Sequence, residues 1–184
     1  PVTQEQKLFP IKKPYGKENY NINIIKSIKI DGNTIYCSTH YGTVYTFDIA
    51  KETFTLLHDF SFNDINSLFI DSKKRLWIPT NSNKALVLVK NGQYINSFPT
   101  ANGPQPFKQV SVIEEISPDI FLIGTSQDSL YLYDMQKGRR ENLTYKLLHN
   151  GSHVRSGEIT AILQDRHRQI WISTTKNGLF RLSH

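Results

Sequence analysis

The 184-residue sequence contains one cysteine, Cys37, and no apolar run long enough to span a membrane. A single cysteine excludes an internal disulfide and every metal site built from several thiolates. A membrane-spanning helix needs about 20 consecutive apolar residues. The first residues, PVTQEQK, also lack the charged and then apolar order of a signal peptide. The chain begins without methionine, so we expect a piece of a longer protein, with any targeting or membrane segment outside it.

The chain also lacks a sustained run of basic residues, although its formal net charge is +6. A basic balance can serve nucleic acids, anionic membranes or acidic glycans. Here the Lys and Arg residues are scattered through turns, so a solvated surface is the better interpretation and no nucleic-acid partner is expected. The composition, 38% hydrophobic and 21% charged, is that of one ordinary globular unit.

Motifs of catalysis and of cofactor binding are missing as well. The six histidines show no HxxxH or HxH metal spacing, and there is no glycine-rich phosphate loop, nucleophile elbow or zinc signature. We therefore expect no cofactor, no metal and no enzymatic activity in this segment.

What the sequence does contain is a repeat of four short words, each an apolar run that ends in Thr. The words end at Thr39, Thr80, Thr125 and Thr174, which are spaced about 40 to 50 residues apart. Three consecutive apolar positions in a word indicate a strand that is buried on both faces. Such strands belong in the middle of stacked sheets.

Further strand-like segments flank each word, and turn formers such as Asp31-Gly32-Asn33 separate them. Outer strands are expected at residues 54–58, 94–98 and 145–149. Each unit then has an inner, a second, a third and an outer strand, an arrangement typical of propeller blades. The sequence therefore predicts an all-β fold, a β-propeller segment over residues 1–184. Its four consecutive antiparallel blades are expected at residues 23–58, 64–98, 109–149 and 158–184.

The fourth unit ends without an outer strand, whereas residues 6–10 (QKLFP) resemble the outer-strand residues 95–99 (INSFP) of the second unit. Residues 6–10 are therefore expected to close a ring by completing the last blade, or else to belong to a preceding blade of a larger propeller. A second copy of the chain could equally complete the ring.

Two units also resemble a known family. Residues 159–165, 171–174 and 178–182 are similar to the two-component regulator propeller repeat, roughly V-x-x-I-x-x-D-x-x-G-x-x-W-I-G-T-x-x-G-L-x-x-Y. The second unit keeps the same spacings over residues 65–80. Such repeats build the periplasmic sensor region of bacterial hybrid two-component histidine kinases, including those with which gut bacteria sense glycans.

The resemblance implies an extracytoplasmic ligand-sensing segment on the periplasmic side of a bacterial inner membrane, recognising a glycan and signalling across that membrane. It implies more than four blades in the whole propeller, so the expected partners are further blades and downstream signalling domains of the same protein, with a homodimer mate. The kinase activity would belong to those other domains. Two alternatives stay open: a propeller scaffold for protein–protein interaction, and a propeller lyase or hydrolase.

Several residues that could carry chemistry occupy repeat positions. Cys37 occupies the repeat position that holds isoleucine in the other three units, so a buried apolar thiol is expected. Trp77 and Trp171 could stack on sugars, but their column favours packing between neighbouring sheets. Asp71 and Asp165 could form an acid–base pair, yet each precedes a turn where Asp commonly bonds its own backbone.

Loop lengths point to the functional face. The turns from second to third strands and the long connections to each next inner strand share one edge of the sheets, here called the long-loop rim. The opposite edge is the short-turn rim. Long loops on a rigid scaffold usually carry recognition, so we expect a small-molecule or oligosaccharide ligand on the long-loop rim. The predicted ligand-binding residues there are Tyr15, Tyr20, His40, Tyr41, Asn83, Lys84, Phe107, His153, Arg155 and Lys176.

Overall fold

The computed structural model describes residues 6–11, 24–60, 65, 67–80, 86–90, 92–98, 107, 109–144, 147–149, 152–153 and 157–182. These residues form antiparallel sheets and no α-helix. None of them lies in a helix that is long and apolar enough to cross a membrane. The predicted all-β fold of four consecutive antiparallel blades is confirmed.

The first two blades have four strands each, in sequence order from the inner to the outer strand. The strands of the first blade are β1 (Ile25–Asp31), β2 (Thr34–Thr39), β3 (Thr43–Asp48) and β4 (Thr53–Asp59). The strands of the second blade are β5 (Phe69–Ile70), β6 (Leu76–Pro79), β7 (Leu86–Lys90) and β8 (Gln93–Phe98).

The third and fourth blades are separated by a short two-stranded ribbon. The strands of the third blade are β9 (Val110–Ser117), β10 (Ile120–Thr125), β11 (Leu130–Asp134) and β12 (Arg139–Asn142). The ribbon pairs β13 (Leu148–His149) with β14 (Ser152–His153). The fourth blade has three strands in the described part of the chain, β15 (Ile159–Gln164), β16 (Ile170–Thr174) and β17 (Gly178–Leu182).

The outer strand of the third blade differs from the prediction. It is β12 and not residues 145–149, because a tight turn lets Arg139 pair directly with Asp134. Leu147, an apolar residue of that later segment, serves the core instead. Leu143 and Leu147 are buried among the side chains between the third and fourth blades.

The core lies between neighbouring blades, and alternate residues of each second strand point toward opposite neighbours. Trp77 packs toward the third blade, in a cluster with Phe121 and Ile123. Leu122 packs toward the fourth blade, in a cluster with Ile172. The second residue of each apolar word, such as Trp77 or Leu122, thus faces the following blade. The third residue, such as Ile123 or Ile172, faces the preceding blade.

This alternation explains the burial of the repeat residues. Trp77 and Leu122 are fully buried, and Cys37 is only 5% exposed, as the sequence predicted. Trp171 belongs to the same column as Trp77 but is half-buried, since no blade follows β15, β16 and β17 in the described residues. The core role expected for Trp77 is confirmed, whereas Trp171 makes only part of the expected contacts.

The small position before the Thr of each word governs how closely the sheets approach. A Cβ atom on Gly124 would lie 2.6 Å from Ile159 Cγ2, so the third blade meets the inner strand of the fourth at this glycine. Pro79 has the same place in the second blade and lacks a backbone N–H. In the described residues, β6 accordingly pairs with β5 only through Trp77 and Leu76.

Residues 6–11 lie against the first blade, on the face that points away from the second blade. The rings of Phe9 and Phe47 are 5.0 Å apart between centroids, and Ile11 is buried beside Tyr45. An ion pair joins Lys7 to Glu52 at the end of the same face. The segment therefore covers the outer half of this sheet.

Candidate ligand-binding rim

Three of the Thr residues that end the words, Thr39, Thr125 and Thr174, close turns between second and third strands on the long-loop rim. The hydroxyls of Thr39 and Thr43 are 2.6 Å apart, and Thr125 Oγ1 accepts the backbone N–H of Ser129 at 3.1 Å. Thr174 Oγ1 donates to a backbone carbonyl across its own turn. The repeated Thr therefore has a structural role, which fixes the turns that carry the rim side chains.

Each of these turns is also tied to the start of an inner strand. The residue after the Thr donates its backbone N–H to the carbonyl just before or at the beginning of that strand, at 2.9 to 3.0 Å; the three pairs are His40 with Ile24, Ser126 with Gln109 and Thr175 with Glu158. Turn residues and the ends of the long connections are thereby held side by side. A ligand on this rim would meet both.

His40 and Tyr41 occupy the rim turn of the first blade. Their rings meet edge to face, with centroids 5.0 Å apart, and both side chains are half-buried. Lys176 occupies the equivalent turn of the fourth blade and is exposed. Its aliphatic stem passes close to Gly157 of the preceding connection, where a Cβ would come within 3.0 Å of it. The structure thus places three predicted residues on the rim.

Phe107 lies deeper than the prediction placed it. Its side chain is 5% exposed, with Tyr131 and Tyr133 at centroid distances of 5.5 and 5.6 Å. The Arg140 guanidinium lies 5.3 Å from the centre of the Phe107 ring. Protein groups therefore surround this ring in the structure.

The other predicted ligand-binding residues cannot be placed relative to the rim. The described residues do not include Tyr15, Tyr20, Asn83, Lys84 and Arg155. His153 contributes its backbone to β14, and its side chain is outside the description.

On the opposite, short-turn rim, two aspartates make the same pair of contacts. One oxygen of Asp71 accepts backbone N–H groups of its turn, and the other accepts the indole N–H of Trp77 at 2.7 Å. Asp165 repeats the arrangement with Trp171 at 2.9 Å. The hydrogen bond from Trp171 is the main reason why the pKa of Asp165 is lowered. The structural interpretation of both carboxylates is confirmed, and the link to Trp six residues later is an additional finding.

Arg75 bridges the second and third blades at this rim. Its Nε donates to Asp71 at 2.5 Å and its Nη2 donates to Asp119 at 2.7 Å. Lys73 and Gln136 complete the shell around the buried Asp119 carboxylate. Hydrogen bonds from Lys73, Gln136 and Arg75 hold the pKa of Asp119 well below its usual range. The groups of this cluster satisfy one another, which is the signature of a structural clamp between blades.

The described residues offer little nucleophilic or metal chemistry. Burial raises the pKa of the Cys37 thiol, which disfavours the reactive thiolate. No group of three or more His, Cys, Asp or Glu side chains within the described ranges is arranged to hold a metal ion.

Comparison with known families finds a match to one of the repeat units. The family model described as two component regulator propeller matches residues 153–176, which include the Asp165 to Trp171 hydrogen bond and the Thr174 turn. Residues 153–176 are thus similar to a two-component regulator propeller repeat. This repeat forms the inner and second strands of the fourth blade, β15 and β16. No curated protein matches the chain in sequence.

Solved structures share the fold of this repeat-bearing chain. The extracellular domain of a hybrid two-component system from B. thetaiotaomicron matches with a TM-score of 0.67 and 16% identity, over 94% of this chain and 22% of that one. A second such domain from the same bacterium matches with a TM-score of 0.62 and 14% identity, over 94% of this chain and 29% of that one. The computationally designed Ika4 protein matches with a TM-score of 0.59 and 16% identity, over 85% of this chain and 89% of that one. The chain spans less than a third of the two bacterial domains, and these identities establish the fold alone.

Proposed function

We propose that this chain is the ligand-sensing part of a bacterial hybrid two-component sensor, that it lies outside the cytoplasm, and that its long-loop rim binds a glycan. The observation that carries the proposal is the two-component regulator propeller repeat at residues 153–176. The likeness in fold to extracellular domains of hybrid two-component systems supports it. In this proposal the segment is non-catalytic, and the signal passes to other domains of the same protein.

The choice of rim rests on the long connections expected there, and the charged groups of the second blade add a reason. On the short-turn rim, Lys73, Lys74 and Arg75 are engaged with carboxylates of neighbouring blades, while Arg166 and Arg168 of the fourth blade are exposed. On the long-loop rim, Lys176 is exposed and forms no ion pair with any other described residue. Cations engaged between blades contribute to packing, whereas an exposed cation can meet a carboxylate or sulfate group of a ligand.

The aromatic pair of His40 and Tyr41 is a second reason to place the ligand on the long-loop rim. Sugar rings present patches of C–H groups that pack on aromatic faces, and the edge-to-face contact of His40 and Tyr41 leaves part of each ring accessible. The Thr39 and Thr43 hydroxyls and the backbone bond from His40 to Ile24 fix the turn beneath them. A rigid turn reduces the entropy lost when a ligand binds.

The proposal is tested by calorimetric titration of the chain with a panel of neutral and acidic oligosaccharides. We expect Tyr41→Ala and Lys176→Ala each to weaken the best complex by about two- to twelvefold, since a lost ring or ionic contact of about 0.5–1.5 kcal/mol has that effect. The matched control is Arg166→Ala, an exposed cation on the short-turn rim, which should leave the affinity unchanged.

Two results would count against this assignment. Binding that survives both long-loop substitutions undiminished would exclude this rim as the site. A panel without any binding oligosaccharide would exclude the glycan and favour the protein-scaffold alternative.

A further inference from the structure

One residue of the long-loop rim has a backbone conformation that the fold does not require. Gln109 lies immediately before β9 with a φ of +51°, in the left-handed region. This region is unfavourable for residues that carry a Cβ, and strain of this kind is found most often at functional sites. The strained glutamine is therefore a candidate for a functional role.

The other left-handed residues are explained by the turns in which they lie. Five further residues of the described chain, apart from glycines, have a positive φ; they are Glu52, Lys74, Asp119, Asp128 and Arg168. Each lies in a short hairpin turn between consecutive strands, where one left-handed residue is common. Gln109 instead ends the long connection from β8 to β9, so no hairpin geometry accounts for its φ.

The repeat does not require the strain either. The Gln109 carbonyl accepts the backbone N–H of Ser126 in the rim turn, and the carbonyls of Ile24 and Glu158 accept the equivalent bond in the first and fourth blades. Neither Ile24 nor Glu158 has a positive φ. Glycine would supply this φ without strain, as six glycines do elsewhere in the described residues. The reason for a glutamine at this position therefore lies in its side chain.

The chain on both sides of Gln109 is held firmly enough to maintain the strain. Phe107, two residues earlier, is 5% exposed and packs against Tyr131 and Arg140. Val110, the next residue, is 1% exposed. A strained residue persists only where its surroundings fix the backbone in this way. The buried Phe107 ring thus helps to hold Gln109 at the rim.

The Gln109 side chain is fixed at one end of its amide and available at the other. Its Oε1 accepts the hydroxyl of Ser126 at 3.0 Å, and the residue is half-buried. Its Nε2 donates no hydrogen bond to any other residue in the described part of the chain. The fixed amide can donate two N–H groups to a ligand with little further loss of side-chain entropy. Sugar hydroxyls accept such bonds.

We propose that Gln109 is a ligand-binding residue of the long-loop rim, and that its amide N–H groups donate to a pair of hydroxyls on a sugar ring. This inference rests on the proposed function and adds the third blade to a site that otherwise uses His40, Tyr41 and Lys176 of the first and fourth blades. The backbone strain is the cost in stability of holding the amide at this point.

Two substitutions at Gln109 test the proposal by calorimetric titration and urea denaturation. Gln109→Gly relieves the strain and removes the amide, so the urea midpoint should not fall while the best complex weakens by about two- to twelvefold. Gln109→Glu keeps an oxygen for Ser126 but has no N–H donor, and should weaken the complex at least as much. The matched control is Arg168→Gly, which relieves a φ of +60° on the short-turn rim and should leave the affinity unchanged.

The outcomes distinguish this proposal from the proposed function. Binding that weakens in Tyr41→Ala and Lys176→Ala but is unchanged in one or both Gln109 variants would overturn the role of Gln109 alone. A urea midpoint that Gln109→Gly lowers well below that of Arg168→Gly would assign the residue to the fold and overturn its role as well. A wild-type chain that binds no oligosaccharide would overturn both proposals.

Discussion

Replacing Trp77 by alanine is expected to lower the free energy of unfolding by about 3 to 5 kcal/mol. The indole is fully buried between the second and third blades, and its ring centroid lies 4.6 Å from that of Phe121. Removing it leaves a cavity in rigid sheets that cannot collapse to fill the space. It also leaves Asp71 without the 2.7 Å hydrogen bond from the indole. Equilibrium urea denaturation monitored by circular dichroism measures the loss.

Trp77→Phe separates the two contributions. Phenylalanine keeps most of the apolar contact but has no N–H for Asp71, so a smaller loss of about 1 to 3 kcal/mol is expected. If Trp77→Ala stays within about 1 kcal/mol of the wild type, the ring is not packed as described. If Trp77→Phe costs as much as Trp77→Ala, the hydrogen bond and not the packing would dominate.

The second large effect is expected at Arg75, where Arg75→Met should cost about 3 to 5 kcal/mol at neutral pH. Methionine keeps an apolar stem but leaves the buried carboxylates of Asp71 and Asp119 without their shared guanidinium. The pair of Lys137 with Asp134, in which the lysine side chain is 75% exposed, supplies the control. Lys137→Met should change the stability by no more than about 0.5 kcal/mol, because exposed ion pairs contribute little.

The pH dependence of this effect has a definite sign. The folded-state pKa of Asp119 is depressed, so its contribution to stability is present above the unfolded pKa of about 3.9 and is lost as the pH falls toward the folded pKa. The stability difference between wild type and Arg75→Met should therefore be smaller at pH 3 than at pH 7. Urea midpoints at both pH values give this comparison. A difference that stays constant with pH, or an Arg75→Met chain as stable as the wild type, would contradict the clamp.

Local patterns in the sequence were enough to predict the blades and most of their cores. An apolar word buried on both faces needs only its own residues to be recognised, and Trp77, Leu122 and Cys37 are buried accordingly. The half-buried state of Trp171 could not be predicted, because it depends on whether another blade follows. The position of the third outer strand was also wrong. The polar residues of β12 look like a turn, whereas buried Leu147 lies in the segment that looks like a strand.

The short-turn clamp was missed for a related reason. Lys73, Lys74 and Arg75 form a run of cations in a turn, which normally indicates a solvated surface. Asp119 lies 44 residues beyond Arg75, in a unit without the repeated aspartate, and only the stacking of the blades brings the two together. On the long-loop rim, His40, Tyr41 and Lys176 lie in the turns where the sequence placed them, because turn positions follow from strand lengths, and their part in ligand binding stays a prediction. The depth of Phe107 depends on contacts with the distant Tyr131 and Arg140, which no local pattern encodes.

Amide hydrogen exchange, with and without the oligosaccharide that binds most tightly in the titration, tests the central claim that the long-loop rim is the sensing face. The account predicts slower exchange on binding in the rim turns at residues 40–42, 126–129 and 175–177. It predicts unchanged exchange in the short-turn segments at residues 32–33, 72–75 and 166–169. Protection confined to the short-turn segments, with the rim turns unaffected, would contradict it.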